Sequence, residues 1–208
     1  MRLRSEIKEQ AKAAFKANYG VCLGVLIVAS IIIAVCGFTG ILALFIAIPI
    51  ELGLICHFTM VFYGGSPEFS TMFQQGFGVN YGRKIGGYLW MVLWVFLWTM
   101  LFWIPGLIKA YAYSECPYIL ANYTDVEAKE ALNLSKRITA GHKWELFVFD
   151  LSFIGWHLLS ILTFGLLEIF YVAPYYATAH AGYLGELIEN AVREGVISAS
   201  ELNKEIEA

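Results

Sequence analysis

Charged residues are the scarcest class in this sequence: Asp, Glu, Lys and Arg make up 15% of its 208 residues, against 59% hydrophobic ones. A soluble domain carries about 25% charged residues, so the chain lacks the polar surface that water demands. Like charges nowhere form a run, and the formal net charge is -3. Without a basic patch, nucleic acid is excluded as a partner. Cysteine is sparse too: Cys22, Cys36, Cys56 and Cys116 lie scattered in apolar segments with no CxxC spacing. That pattern excludes a metal cage and a secreted disulfide framework, and reads as buried small hydrophobes. Catalytic signatures are also missing, with no HExxH, GxSxG or phosphate-cradling loop. Ser152 beside Asp150 and His157 suggests a hydrolase, but residues two apart on a helix do not face together. The expectation is a protein that is not an enzyme and needs no cofactor and no metal.

What the chain does have is long apolar runs. A bilayer core of about 30 Å takes about 20 helical residues to cross, and six segments qualify as spans: Gly20 to Gly37, Ile41 to Phe62, Gly86 to Ile104, Gly106 to Asn122, Glu145 to Thr163 and Leu166 to Leu187. Short uncharged turns (GFTG, PG, TFG) alternate with long polar connections at Tyr63 to Ile85, Tyr123 to Trp144 and the tail from Gly185. The stretch IPGLIKAYAYSECPYIL carries Lys109, Glu115 and Pro117 and is the least apolar of the six. If it crosses, both termini and every long loop share one side, with all of the 14 Lys and Arg residues except Lys109. The positive-inside rule makes that side cytoplasmic. The reading is all-α: six transmembrane helices in three hairpins with short extracellular turns, in the cell membrane, with the bilayer itself as partner.

The N-terminus does not read as a cleaved signal, because Glu6 and Glu9 interrupt its basic residues and no small-residue cleavage site follows. Val35 before Cys36 excludes a lipoprotein signal. Residues 1–19 form instead an amphipathic helix, with Leu3, Ile7, Ala11, Ala14 and Phe15 on one stripe, suited to the headgroup plane. Residues 20–187 are the membrane domain and 188–208 a cytoplasmic tail. Within the loop after Asn122, TDVE is a capping box with Thr124 as N-cap and Gly141 a stop, which predicts a loop helix over 124–140.

The second helix of each hairpin pairs a carboxylate with a proline: Glu51 with Pro49, Glu115 with Pro117, Glu168 with Pro174. Proline frees a carbonyl and kinks a membrane helix, and neighbours must satisfy the freed group. Ionisable groups at membrane depth are costly and need partners or water. Lys109 and Glu168 lie at similar depth and make a candidate salt bridge, with snorkelling to the outer interface as the alternative. Glu115, Asp150 and His180 form a candidate inner polar pocket with His157 on the face of Asp150 and His57 at its mouth. Such a cluster suits a proton relay or cation site, or hydrogen bonding that fixes helix packing. Trp90, Trp94 and Trp98 make an i, i+4 stripe: a lipid-facing or packing surface, or an aromatic groove for a lipid, peptide or partner helix. Trp103 suits the interfacial belt.

The stretch IPGLIKAYAYSECPYILANYTDVEAKEALNLSKRITAGHKWELFVFDLSFIGWHLLSILTFGL, with EIKEQAKAAFKANYG upstream, resembles the bacterial membrane protein family known as domain of unknown function 975. The resemblance implies a polytopic cell-membrane protein, common in Gram-positive bacteria, and brings no catalytic residues. On function, the leading expectation is a non-enzymatic protein that binds or assembles with membrane partners or lipids, a second copy of the chain included. The alternative is a small transporter or channel working through the carboxylate and histidine cluster, and an intramembrane enzyme is the last.

Overall fold

Backbone polar groups in an apolar solvent must be satisfied within their own segment, which leaves helices as the means of crossing. The computed structural model describes residues 2–37, 40, 43–78 and 80–202, the Trp103 side chain excepted. Among these the structure is helical, with no strands. In order come α1 (Arg4–Ala17), α2 (Tyr19–Cys36), α3 (Leu44–Phe62), α4 (Phe69–Phe77), α5 (Tyr81–Leu101), α6 (Trp103–Ala112), α7 (Glu115–Asn122), α8 (Ala128–Ile138), α9 (Lys143–Leu151), α10 (Ile154–Leu162) and α11 (Ala173–Arg193). A π-helical turn, Glu168–Val172, leads into α11, and a short 3-10 turn, Ala199–Leu202, follows it. Among the described residues four helices are long and apolar enough to cross a membrane: α2, α3, α5 and the run Lys143–Leu162 made by α9 and α10. The GFTG turn, the Trp103 side chain and the end of the tail fall wholly or partly outside the described residues.

α11 is the central element. Its Pro174, Thr178, Ala179, Gly182, Tyr183, Gly185 and Leu187 are buried, and it touches α1, α2, α3, α7 and α8. Small residues let it approach: a Cβ on Gly182 would sit 2.2 Å from the Phe62 ring. The apolar residues of α2, α5 and α10 point outward instead, among them Ile31, Leu93, Phe96, Leu97, Leu158 and Ile161. This inside-out distribution is that of a helix bundle whose solvent is lipid.

α1 departs from the sequence reading. Ile7, Ala11 and Phe15 of its stripe are fully buried against protein, where the headgroup region was expected. α1 lies on α3 and α11, tied by Gln10 donating to the Phe62 carbonyl (3.1 Å) and by Arg2 Nε donating to Glu186 (2.7 Å). Burial of Ile7 and Phe15 stabilises this docking by about 1.5–3 kcal/mol each.

The long connection after α3 also holds more than a loop. α4 turns back along the middle of α3, so tightly that a Cβ on Gly53 would lie 2.1 Å from the Met72 carbonyl oxygen, and one on Gly76 2.3 Å from that of Pro49. Arg83 and Lys84, at the start of α5, then cap two helix C-termini. The Arg83 guanidinium donates to the Leu120 carbonyl (3.0 Å) in the last turn of α7 and to Val126 beyond it, and buried Lys84 donates to Gln75 at the end of α4. Cations at helix C-termini complement exposed carbonyls and the helix dipole. The loop helix starts four residues later than TDVE predicts, at Ala128, with Glu127 as N-cap and residues 124–127 in a turn. Its end agrees: Gly141 takes a left-handed φ of 88°.

A proline removes one backbone N–H, and its ring displaces the carbonyl four residues earlier. For Pro49 that carbonyl is Phe45, and the Tyr81 hydroxyl donates to it at 2.6 Å. For Pro174 it is Phe170, and the Tyr19 hydroxyl donates at 3.0 Å. For Pro117 it is Tyr113, where the helix breaks between α6 and α7 and the Cys116 N–H takes the carbonyl at 3.0 Å.

Candidate functional site

Where α2, α3, α7 and α11 meet, the bundle encloses a partly open cavity of about 300 Å³. Its walls are Leu26, Leu54, Ile55, Phe58, Pro117, Ala177, Ala181 and Leu184, and its polar groups are Glu51, Ser114, Tyr176 and His180. The break before Pro117 swings Ser114 to the wall, since Tyr113 and Ser114 form a turn there. Glu51, near the middle of α3, is exposed and accepts a hydrogen bond from the Tyr88 hydroxyl at 2.7 Å. A mostly apolar concavity with a few converging polar groups is the form of small-ligand sites.

Beside the cavity, Asp150 accepts from two hydroxyls, Tyr111 (3.1 Å) and Tyr176 (3.0 Å). Tyr176 stacks on His180, ring centroids 5.4 Å apart, and meets His157 edge-on at 6.1 Å. Asp150 and His180 thus share Tyr176, as the sequence reading grouped them. The rest of that pocket comes apart. Glu115 is fully buried, and neither carboxyl oxygen has a hydrogen-bond partner among the described residues. Its neighbours Ser114 and Pro117 line the cavity while Glu115 does not. His57 is buried with both ring nitrogens unpartnered, and it is Phe58, next to it, that lines the cavity. The α9–α10 run is interrupted at Ser152 and Phe153, so the seven-residue spacing of Asp150 and His157 is not that of one unbroken helix face. His157 Nδ1 instead pairs with Glu168 Oε2 at 3.1 Å.

That contact corrects the Lys109–Glu168 pairing. Lys109 sits on α6, which packs on α5 and α9, whereas Glu168 begins the π-helical turn beside α10, α11 and α2. Equal depth did not bring them to the same side of the bundle. The Lys109 ammonium lies 4.9 Å from the Trp98 ring centroid, a cation–π contact. Trp90 and Trp94 meet edge to face with centroids 6.0 Å apart, both exposed. The concave surface beside α5, about 420 Å³, is lined from the adjoining stripe: Met91, Val92, Val95, Phe96 and Thr99, with Ala110 and Tyr113 opposite. Among the described residues no group of three His, Cys, Asp or Glu side chains is placed to hold a metal ion.

Sequence reasoning passed over Glu51 as a cavity residue, Tyr88 as its hydrogen-bond donor, and Tyr111 and Tyr176 as the donors to Asp150. The signal available was tyrosine inside apolar runs, where a buried hydroxyl usually finds a partner.

Residues 38–191 match the family described as "Protein of unknown function (DUF975)". The chain belongs to that family. The matched segment takes in α3 to α10 and most of α11, and so the cavity apart from Leu26 of α2. No curated protein and no solved structure matches the chain. For this DUF975 member, function must therefore be argued from its own side chains.

Proposed function

We propose that this DUF975 protein is a non-enzymatic, multi-pass protein of the bacterial cell membrane that binds membrane lipids or assembles with membrane partners. The arrangement proposed is six spans in three hairpins, counting α6 with α7 and the helix through 166–187, with both termini cytoplasmic. The observation that carries the reading is the apolar-walled cavity of about 300 Å³ beside α11. Its shape and lining suit part of an amphiphile, with Glu51, Ser114 and His180 as polar anchors. Photo-crosslinking in cells followed by gentle purification should recover a specific lipid or protein with the chain, and Ala177→Trp, which fills the cavity, should reduce a bound lipid several-fold. Repeated recovery of the chain alone would overturn the reading. Topology is tested by single cysteines within 125–143, in a background lacking the native four, which should resist an impermeant thiol reagent until cells are permeabilised.

A second reading, a small transporter or channel, is favoured by Glu115. A fully buried carboxyl with no partner is costly, and function is one reason for a bundle to keep it. Solute or proton flux in proteoliposomes, lowered at least about tenfold by Glu115→Gln, would support it. Flux equal in both proteins would remove Glu115 from the mechanism.

A further inference from the structure

We propose that the cavity of α2, α3, α7 and α11 takes a lipophilic cation, an apolar molecule of one positive charge. The inference rests on the ligand-holding reading above and names the chemical class held. Glu51 supplies the first argument. It lies seven residues from the start of α3 and eleven from its end (Leu44–Phe62), so within the span it sits far from either mouth. Among the described residues no Lys, Arg or His forms an ion pair with it, and its hydrogen-bond partner is the neutral Tyr88. A carboxylate at that depth calls for a counter-charge, and among the described residues no ion pair supplies one; His180, the other titratable group of the cavity, stacks on Tyr176 instead.

The second argument is the wall around it. Phe58 and Tyr176 line the same cavity, and an aromatic lining attracts cations. Leu54 and Leu184 add apolar surface for the body of the ligand. The two acids nearby are already committed or out of reach: Asp150 accepts from two tyrosines, and Glu115 does not line the cavity. One carboxylate among aromatic and aliphatic walls, with Ser114 and His180 as the remaining polar groups, selects one positive charge on an apolar body and disfavours an anion.

The test is equilibrium binding of tritiated tetraphenylphosphonium to the full-length protein in uncharged maltoside micelles, beside a tritiated fatty alcohol of no charge. Expected are saturable binding of the cation and a loss of at least about tenfold on Glu51→Gln, with Glu168→Gln unchanged because Glu168 lies outside the cavity. Ala177→Trp should abolish binding by occlusion, which keeps the test decisive if Glu51→Gln fails to yield monodisperse protein. Equal cation affinity in Glu51→Gln and wild type would overturn the proposal. Saturable binding of the alcohol without binding of the cation would overturn the charge selectivity and leave the lipid-holding reading standing. Saturable binding of neither probe would overturn both.

Discussion

Tyr19 and Tyr81 occupy a chemical position that proline creates. Each donates its hydroxyl to a carbonyl that a proline four residues on has deprived of its helical partner. The phenol thus supplies the hydrogen bond that the proline withholds from that backbone group. Tyr19→Phe should therefore destabilise the protein by about 1 kcal/mol. The same change in a Pro174→Ala background, where Phe170 regains its helical donor, should cost much less. Denaturation of the four proteins of this cycle in one detergent checks the claim, and equal costs in both backgrounds would refute it. Arg83 makes a similar case on the cytoplasmic side of the reading, since truncating it strands two carbonyls, and Arg83→Ala should cost about 1–3 kcal/mol by the same measurement. The prolines were legible in sequence as kinks that need partners. The donors were not, because Tyr19 lies far along the chain from Phe170 and only packing brings them together.

At the level of elements, α3 and α4 hold each other through two glycines. With Gly53 and Gly76 each seated against a facing carbonyl, Gly76→Ala should destabilise by about 1–3 kcal/mol through overpacking, read as a lower melting temperature of the purified protein. α8 holds the tail: Arg137 donates to Glu201 and to the Val196 carbonyl, and the Ser198 N–H donates to Glu201 at 2.7 Å. Hydrogen bonding from Arg137, more than any other influence, keeps the exposed Glu201 carboxyl below its ordinary value of 4.5. A depressed carboxylate stabilises above its unfolded value, so the tail's docking is complete above about pH 4.5 and weakens as pH falls through the lowered value. A nitroxide at Ala199→Cys should gain mobility over that acid range, and Arg137→Gln should make it mobile already at neutral pH. Helix positions here followed from hydropathy, glycine and proline, so α2, α3, α5 and the end of α8 were readable. α4 was not, since nine residues without a long apolar run look like loop until Gly53 and Gly76 are seen facing each other's backbones. The Lys109–Glu168 pairing failed for a related reason: hydropathy reports depth along a span and nothing about which neighbours surround it.

For the whole molecule, the decisive arrangement is the docking of α1 across α3 and α11. Deleting residues 2–17 would uncover the surface that Ile7, Ala11 and Phe15 now seal, and should yield aggregated protein on size exclusion, whereas a helix that merely rested on headgroups would be dispensable. Of the residues grouped from sequence, Asp150 and His180 share Tyr176, whereas Glu115 and His57 do not line the cavity. Glu51 of α3 joins Ser114, from the break between α6 and α7, in one lining, and that meeting is a property of the assembled bundle. The return of α4 along α3 also bears on biosynthesis. At about 1.5 Å per residue its nine residues reach only about 13 Å, too short and too polar for the insertion machinery to admit by itself. α3 is made before α4, so α4 folds only against a helix already in place, and the order of synthesis along this chain is also an order of assembly.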